Sequence, residues 1–394
     1  MIEMQTPRSV RLGKLLLIAV FSTCVMGCSS PSSPPSEEPD SQGGVESENV
    51  RLVGYNDLQG RESLMVVTRS DATNGDWAYV GHHESYYDGL ERMNPITDRM
   101  EWSGTSILDI SDPANPRLVW HIPNEVNSNS RSVSVVCDYG FDSDSTGRDY
   151  LIRNSEAGAD RKFQIFDITT RGSDPSGISL VSEITGTPEN SCGPGCGGKF
   201  IQRAHKGFRS TLAQIWDLRD PENPRFVGRA WLPGQKEGEE GFEGQYAHHP
   251  IVDEENNRLY LGFRADGHTG SWDISDPTNP TLVWMVDVSP PGRGPHTISP
   301  IVYDDLSNFK ADALPRTYAL VVEEAGGEDD MAPCPVGVRN KSYMFDIIHE
   351  SRPFPVSTWE VPVGDSCDKG GRFGPHQSAE TVNGSINRFE DKIA

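Results

Sequence analysis

The strongest constraint in this sequence is a short element that returns along the chain. Ile107–Val119 (ILDISDPANPRLV) recurs as Ile215–Val227 (IWDLRDPENPRFV) and again as Ser271–Val283 (SWDISDPTNPTLV). Weaker copies begin at Ile165-Phe166-Asp167-Ile168 and Met344-Phe345-Asp346-Ile347. The repeated aspartate therefore falls at 109, 167, 217, 273 and 346, at intervals of 58, 50, 56 and 73 residues. Each copy reads as strand, turn, strand. Apolar residues before the aspartate form a short strand. The Asp-Pro-x-Asn-Pro core fixes φ twice, withholds two N–H donors, and offers Asp and Asn side chains to the local backbone. A Leu-Val-Trp or Phe-Val-Gly run then starts an outgoing strand.

Two more strands lie upstream of each aspartate. Before Asp273 they are Pro250–Val252 and Leu259–Phe263, separated by the turn residues DEENN. Four short strands at a period of roughly 40 to 60 residues are the signature of a β-propeller blade. A period this long argues against a β-helix, and five near-equal copies argue against a sandwich. The length of 394 residues would otherwise suggest two or three domains, but a closed array has no such size limit. The 39 glycines and 29 prolines fit a chain built from turns. The expected fold is all-β: a propeller of four-stranded blades, six when complete. Gly374-Pro375-His376 resembles Gly294-Pro295-His296 at the start of an inner strand, so the sixth blade is expected to be truncated in this chain. Asn49–Gly54 (NVRLVG) resembles an outgoing strand without the rest of its blade, as expected for a strand that closes the ring.

The DISDPxNPxLV element closely resembles the LVIVD-repeat proteins, a bacterial group read as β-propellers. The resemblance spans most of Val50–Ala394. It implies the repeat and the fold, and carries no activity with it.

The first residues form an address. Arg8, Arg11 and Lys14 precede the apolar run Leu15–Val20, and Cys28 follows Gly27, a pattern expected of a secretory signal over residues 1–27. Val25-Met26-Gly27-Cys28 resembles a bacterial lipobox, which implies cleavage before Cys28 and a lipid on its thiol. Ser29 in the next position fits outer-membrane sorting. Residues 28–48, rich in Ser, Pro and Glu, are expected to form a disordered tether, leaving the propeller over 49–394. The expected location is the bacterial cell envelope, as an outer-membrane lipoprotein, with the membrane as partner through the lipid anchor. The formal charge is −23, and residues 1–27 carry three basic groups and one acid, so the remainder carries −25. That excludes a basic nucleic-acid footprint.

The histidines are patterned. His249, His296 and His376 sit at the starts of inner strands; His82, His83 and His205 sit at the ends of second strands. Antiparallel neighbours place those two positions on one face of the disc, at the mouth of the central channel. Equivalent second-strand ends supply Glu156, Arg264, Glu323 and Glu324. Three readings stay open. Neutral imidazoles with carboxylates could hold a transition metal such as Zn, Cu or Fe and support an oxidoreductase or hydrolase. His, Arg and Glu could bind a small polar ligand or a protein partner without metal. Or they fill a hydrated polar channel.

Other motifs carry less. Asp142–Asp149 alternates oxygen side chains around Gly147, as a Ca²⁺ loop does, but lacks a terminal Glu; a solvated hairpin loop is expected. The aspartates at 109, 217 and 273 are expected to make structural hydrogen bonds beside their turns. In an exported protein Cys192-Gly-Pro-Gly-Cys196 is flexible enough to close a small loop, Cys334 and Cys367 lie in long inserts and could pair, Cys137 is then left over, and the connectivity stays open.

Overall fold

The computed structural model describes residues 51–71, 75–82, 91–126, 130, 133–136, 140–141, 144–145, 147–157, 160–185, 201–203, 208–211, 213–234, 247, 250–253, 255–263, 267–288, 294–303, 314–324, 341–360, 375 and 387–388. The leader, the tether, Cys28 and the five later cysteines lie outside them. No helix among the described residues is long and apolar enough to cross a membrane.

The strands group into successive antiparallel meanders, arranged as a β-propeller. Blade 1 contains β1 (Ser63–Asp71) and β2 (Gly75–His82), a small hairpin of β3 (Arg92–Asn94) and β4 (Arg99–Glu101), then β5 (Thr105–Asp109) and β6 (Arg117–Ile122). Its sheet order is β1-β2-β5-β6, with the hairpin as a separate two-stranded sheet. Blade 2 opens with β7 (Val133–Val136). A hairpin of β8 (Gly140–Phe141) and β9 (Asp144–Ser145) follows, then β10 (Tyr150–Ala157), β11 (Asp160–Asp167) and β12 (Ser179–Thr185). Blade 3 is β13 (Ile201–Arg203), β14 (Phe208–Thr211), β15 (Gln214–Asp217) and β16 (Arg225–Arg229). Blade 4 is β17 (Ile251–Asp253), β18 (Arg258–Phe263), β19 (His268–Asp273) and β20 (Thr281–Asp287). The fifth sheet runs β21 (Pro295–Tyr303), β22 (Arg316–Glu323), β23 (Lys341–Asp346) and β24 (Phe354–Glu360). It gains β25 (Asn387–Arg388), which pairs parallel with β21. The expected sixth blade is not found among the described residues; the only strand described after β24 lies instead on the edge of β21.

The repeated aspartates do what the sequence suggested. At Asp109, Asp167, Asp217, Asp273 and Asp346 the carboxylate accepts the N–H two residues on, at 2.8–3.0 Å. The second aspartate locks the turn itself. Asp112 and Asp220 each accept the N–H two residues on and the Asn side-chain amide three residues on; Asp276 accepts the N–H and hydroxyl of Thr278. These side chains satisfy donors that the prolines leave without strand partners. At Asp217, Arg219 and Arg225 also bond the carboxylate and hold its pKa down at about 2.

The core lies between blades. Trp77, Tyr79, Ile107, Leu151, Phe166 and Ile168 fill the seam of blades 1 and 2. Ile152, Phe163, Ile165, Trp216 and Leu218 fill that of blades 2 and 3. Leu261, Phe263 and Trp272 pack with Ile215 and Leu232 in the third seam. Tyr260 and Trp284 pack with Ile298, Val321 and Phe345 in the fourth. Ion pairs cross the same seams: Arg258 of β18 makes a two-pronged contact with Glu350, 2.8 Å at each end.

One backbone contact recurs between neighbours. A β-bulge in the outgoing strand brings one residue against the proline turn of the next blade. In β12 this is Ser182, whose hydroxyl donates to Pro221 O at 2.7 Å. In β16 it is Gly228, where an added Cβ would stand 2.1 Å from Pro277 O. Gly54 repeats this: a Cβ there would stand 2.1 Å from Pro113 O, and Asn56 donates to Pro116 O at 2.9 Å. The expected closing segment therefore rests on blade 1 as an outgoing strand rests on its neighbour, although Arg51–Gly54 pairs with no strand among the described residues.

This contact predicts the outcome of Gly228→Val. The side chain meets a carbonyl oxygen held by a locked turn, so about 2–4 kcal/mol of stability should be lost. Thermal unfolding of the purified variant checks it; an unchanged midpoint would show that the seam can open to admit a side chain.

Candidate functional site

Within a blade, the end of the second strand, the start of the third and the end of the fourth lie on one edge. In blade 1 those positions carry His82, Ser106 and His121, and all three side chains are buried. They form one hydrogen-bonded chain. His82 Nδ1 lies 3.0 Å from Glu62 O and its Nε2 2.8 Å from Ser106 Oγ. Ser106 Oγ lies 3.1 Å from His121 Nδ1, and His121 Nε2 2.9 Å from Trp102 O. A carbonyl can only accept, so each ring carries a hydrogen on its outer nitrogen. The two neutral rings and the hydroxyl then bring three hydrogens to four contacts. Ser106 donates to one ring and faces the lone pair of the other.

A proton would complete the count, but the surroundings oppose it. Burial is the largest effect on His82 and, with Arg61 and Arg153 nearby, pushes its pKa down to about 3, against a partial rise from the Glu62 carbonyl. Burial, Arg61 and His82 itself push His121 well below the ordinary range as well. Arg153, on β10 of the next blade, is fully buried. It donates to Ile122 O at 2.7 Å, Pro123 O at 2.9 Å and Gln164 Oε1 at 2.9 Å, with its guanidinium 4.8 Å above the Phe166 ring. Desolvation lowers its pKa to about 9, with Glu183 and Glu125 opposing, so it stays charged at neutral pH. Gln164 passes the network on to Glu183 at 2.6 Å, and Lys162 donates to the same carboxylate at 2.8 Å.

Blade 5 holds the second group on the equivalent edge. Register sets Pro295 of β21 opposite Glu323 of β22, which brings His296, Glu323 and Glu324 together, all buried. His296 Nε2 lies 3.7 Å from Glu324 Oε2, and its Nδ1 2.6 Å from Thr297 Oγ1. Glu323 accepts the Lys341 N–H at 2.9 Å and the Tyr343 hydroxyl at 3.4 Å. Burial, then the Glu323 charge, pushes the Tyr343 phenol well above its usual range.

Of the expected mouth residues, His82 ends β2, His296 is second in β21, Glu323 ends β22 and Glu324 follows it. His83, His205, His249, His376 and Arg264 lie outside the described residues; Glu156 lies on β10, with its side chain outside them. No group of three or more His, Cys, Asp or Glu side chains among the described residues is set to hold a metal ion. Sequence reasoning missed His121, Ser106 and Arg153. His121 could have been found: it follows Leu118-Val119-Trp120 at the end of an outgoing strand, on the edge that also carries His82. Of the Asp142–Asp149 stretch, β9 pairs with β8 just before it, and Asp149 is buried in an ion pair with Arg171.

The LVIVD repeat family model matches residues 100–122 and 272–288, across β5–β6 and β19–β20. This chain carries LVIVD repeats. Among solved structures it is similar to a hypothetical selenium-binding protein from Sulfolobus tokodaii, with TM-score 0.50 and 13% identity over 85% of this chain and 73% of that one. A protein from Lactobacillus plantarum gives TM-score 0.41 and 11% identity over 74% and 83% of the two chains. The periplasmic gluconolactonase of Pseudomonas aeruginosa gives 0.38 and 10% over 79% and 86%. Likeness at such identity speaks to the propeller fold alone. No curated protein matches the chain.

The LVIVD blade 1 network predicts acid lability. The unfolded chain binds a proton at His82 near pH 6.5, whereas the folded ring resists until about pH 3. Protons therefore favour unfolding: stability is full above about pH 6.5 and falls as pH drops towards 3, by about 1.4 kcal/mol per pH unit for each such ring. Denaturant midpoints from pH 7.5 to 4 measure this, and His82→Gln should flatten the slope by about one proton.

Proposed function

We propose that this LVIVD-repeat propeller is a binding scaffold of the bacterial cell envelope. A lipid on Cys28 holds it at the membrane, and residues 28–48 act as a tether. The strand-end mouth meets a small polar ligand or a protein partner. The observation that favours this reading is how the described mouth side chains are used. His82, Ser106 and His121 run between two backbone carbonyls, and Glu323 is bonded by the Lys341 amide and the Tyr343 hydroxyl. Groups held in this way stiffen a rim on rigid strands, and a stiff rim is what recognition needs. The comparisons support a scaffold at this level, and leave the ligand to be found by experiment.

One observation favours a second reading, a metal-dependent oxidoreductase or hydrolase. A buried imidazole and a buried carboxylate face each other 3.7 Å apart at His296 and Glu324. Elemental analysis of the purified full-length protein separates the two. The scaffold reading expects sub-stoichiometric metal that is unchanged when His249, His296 and His376 are replaced together by alanine. One equivalent of Zn, Cu or Fe lost in that variant would establish the metal reading instead. The anchor is tested separately: metabolic labelling with a fatty acid should mark the wild type and not Cys28→Ala, and equal labelling of both would remove the anchor.

A further inference from the structure

The small hairpin of blade 1 is turned the wrong way round for an exposed element. β3 and β4 lie between the end of β2 at His82 and the start of β5 at Thr105, and so on the mouth edge. Register sets Met93 directly opposite Met100. Alternation puts these two on one face and Arg92, Asn94, Arg99 and Glu101 on the other. The polar face is the one drawn in: Asn94 is fully buried, Arg92 and Glu101 are half-buried, and of these four only Arg99 is exposed. The face with the methionines is open. Met93 is 49% exposed and Met100 50%, and Ile96 in the loop between the strands is exposed as well.

A two-stranded hairpin is marginal alone, but this one is fixed to the body. Glu101 accepts from the Asn94 amide at 2.7 Å and from the Thr97 hydroxyl at 2.6 Å. Asn94 in turn accepts the Ile96 N–H on its side chain and the Asp98 N–H on its carbonyl, both at 2.9 Å. At the base, the buried Arg61 donates to Arg92 O at 3.2 Å and to Glu101 O at 3.3 Å. The two thioethers are thus mounted on a rigid frame, at the spacing of a directly opposed pair, about 4.5–5.5 Å between Cβ atoms.

We propose that Met93 and Met100 form a binding site for a soft monovalent cation, Cu(I) or its redox-inert analogue Ag(I), held between the two thioether sulfurs. A thioether carries no charge and is a weak hydrogen-bond acceptor, but its polarisable sulfur is a good ligand for soft ions and a poor one for Mg²⁺ or Ca²⁺. A linear sulfur–metal–sulfur unit spans two bonds of roughly 2.3 Å each, about 4.6 Å in all, which an opposed pair matches without moving the backbone. Half of each side chain is open to solvent, so an ion reaches the sulfurs directly. Because the frame is fixed beforehand, binding orders little else. Neither methionine belongs to the histidine groups of blades 1 and 5, so this site stands or falls apart from the ligand or metal sought there.

Methionine-methyl NMR of the full chain, with thiols capped by N-ethylmaleimide, tests this in a titration with silver nitrate in chloride-free buffer. The Met93 and Met100 methyl signals, assigned with Met93→Leu and Met100→Leu, should shift together along one binding curve. Leucine keeps the volume at an exposed position, so each variant should fold as the wild type does. Each should bind silver about tenfold or more weakly at this site, because the second sulfur no longer stands at high effective concentration. Signals that stay in place under excess silver would overturn the proposal. So would two separate midpoints, which would mean that each sulfur acts alone, or a single Leu variant whose remaining methyl titrates as in the wild type. Replacing His249, His296 and His376 together by alanine should leave this titration unchanged; loss of the methyl shifts in that variant would equally overturn it, by moving the ion to the imidazoles.

Discussion

Where blades 2 and 3 and blades 3 and 4 meet, the outgoing strand of one rests on the proline turn of the next, and Gly54 rests on the turn of blade 1 in the same way. It is a backbone contact, and so it leaves little tolerance. The oxygen belongs to a proline whose φ is fixed and whose turn is locked by an aspartate accepting from two or three groups. The residues that meet it are small or donate a hydrogen bond, glycine at 54 and 228 and serine at 182, whereas the equivalent positions of β6 and β20 carry Trp120 and Trp284. The bulge at that point re-aims the strand so that its neighbours can fill the seam. Tryptophans at 77, 216, 272 and 284 then occupy the seams, where large rigid side chains bury the most apolar surface for the least lost rotamer freedom.

Fixing the turn edge leaves the opposite edge to carry chemistry. There the backbone must pass from one blade to the next, and its carbonyls need partners. Arg153 answers that need between blades 1 and 2, holding Ile122 O and Pro123 O at the crossing. A guanidinium suits the place because its fork reaches several acceptors at once and its face lies over Phe166. The same buried charge then acts on its surroundings. Together with Arg61 it bears on His82 and His121 and favours their neutral forms. The low basicity of these rings thus comes in part from a residue whose own task is to bind backbone.

The repeat made the fold legible. Asp-Pro-x-Asn-Pro dictates a turn through proline geometry and short-range hydrogen bonds, which depend on a few adjacent residues and survive any context. The five aspartates accept from the N–H two residues on, as that logic requires. The strand limits before Asp273 were readable for the same reason. The mouth was readable only in part. Alternation along antiparallel strands told which residues stand at that edge, and His82, His296, Glu323 and Glu324 are there. It could not tell what each touches, because His82 reaches Ser106 and His121 across 24 and 39 residues of chain, through a register that no local motif encodes. Arg153 was silent in the sequence because its partners are main-chain carbonyls about thirty residues upstream.

The histidine pattern itself has a physical reading that differs from a shared centre. A repeat copies a residue type to the same height in each blade, so recurrence is built in before any function acts. Convergence on the axis additionally requires that the rings be turned inward. In blade 1, His82 is turned along its own sheet, spending one nitrogen on Glu62 O and the other on Ser106 of β5. In blade 5, His296 reaches Thr297 and Glu324 of its own sheet. The bonds described for His82 and His296 stay within the blade that carries each ring. Burial explains why: a desolvated imidazole needs a partner for each nitrogen, and sheet neighbours held by backbone bonds are the nearest and most rigid partners. In blades 1 and 5 the described side chains on this edge are thus held by hydrogen bonds within their own sheets.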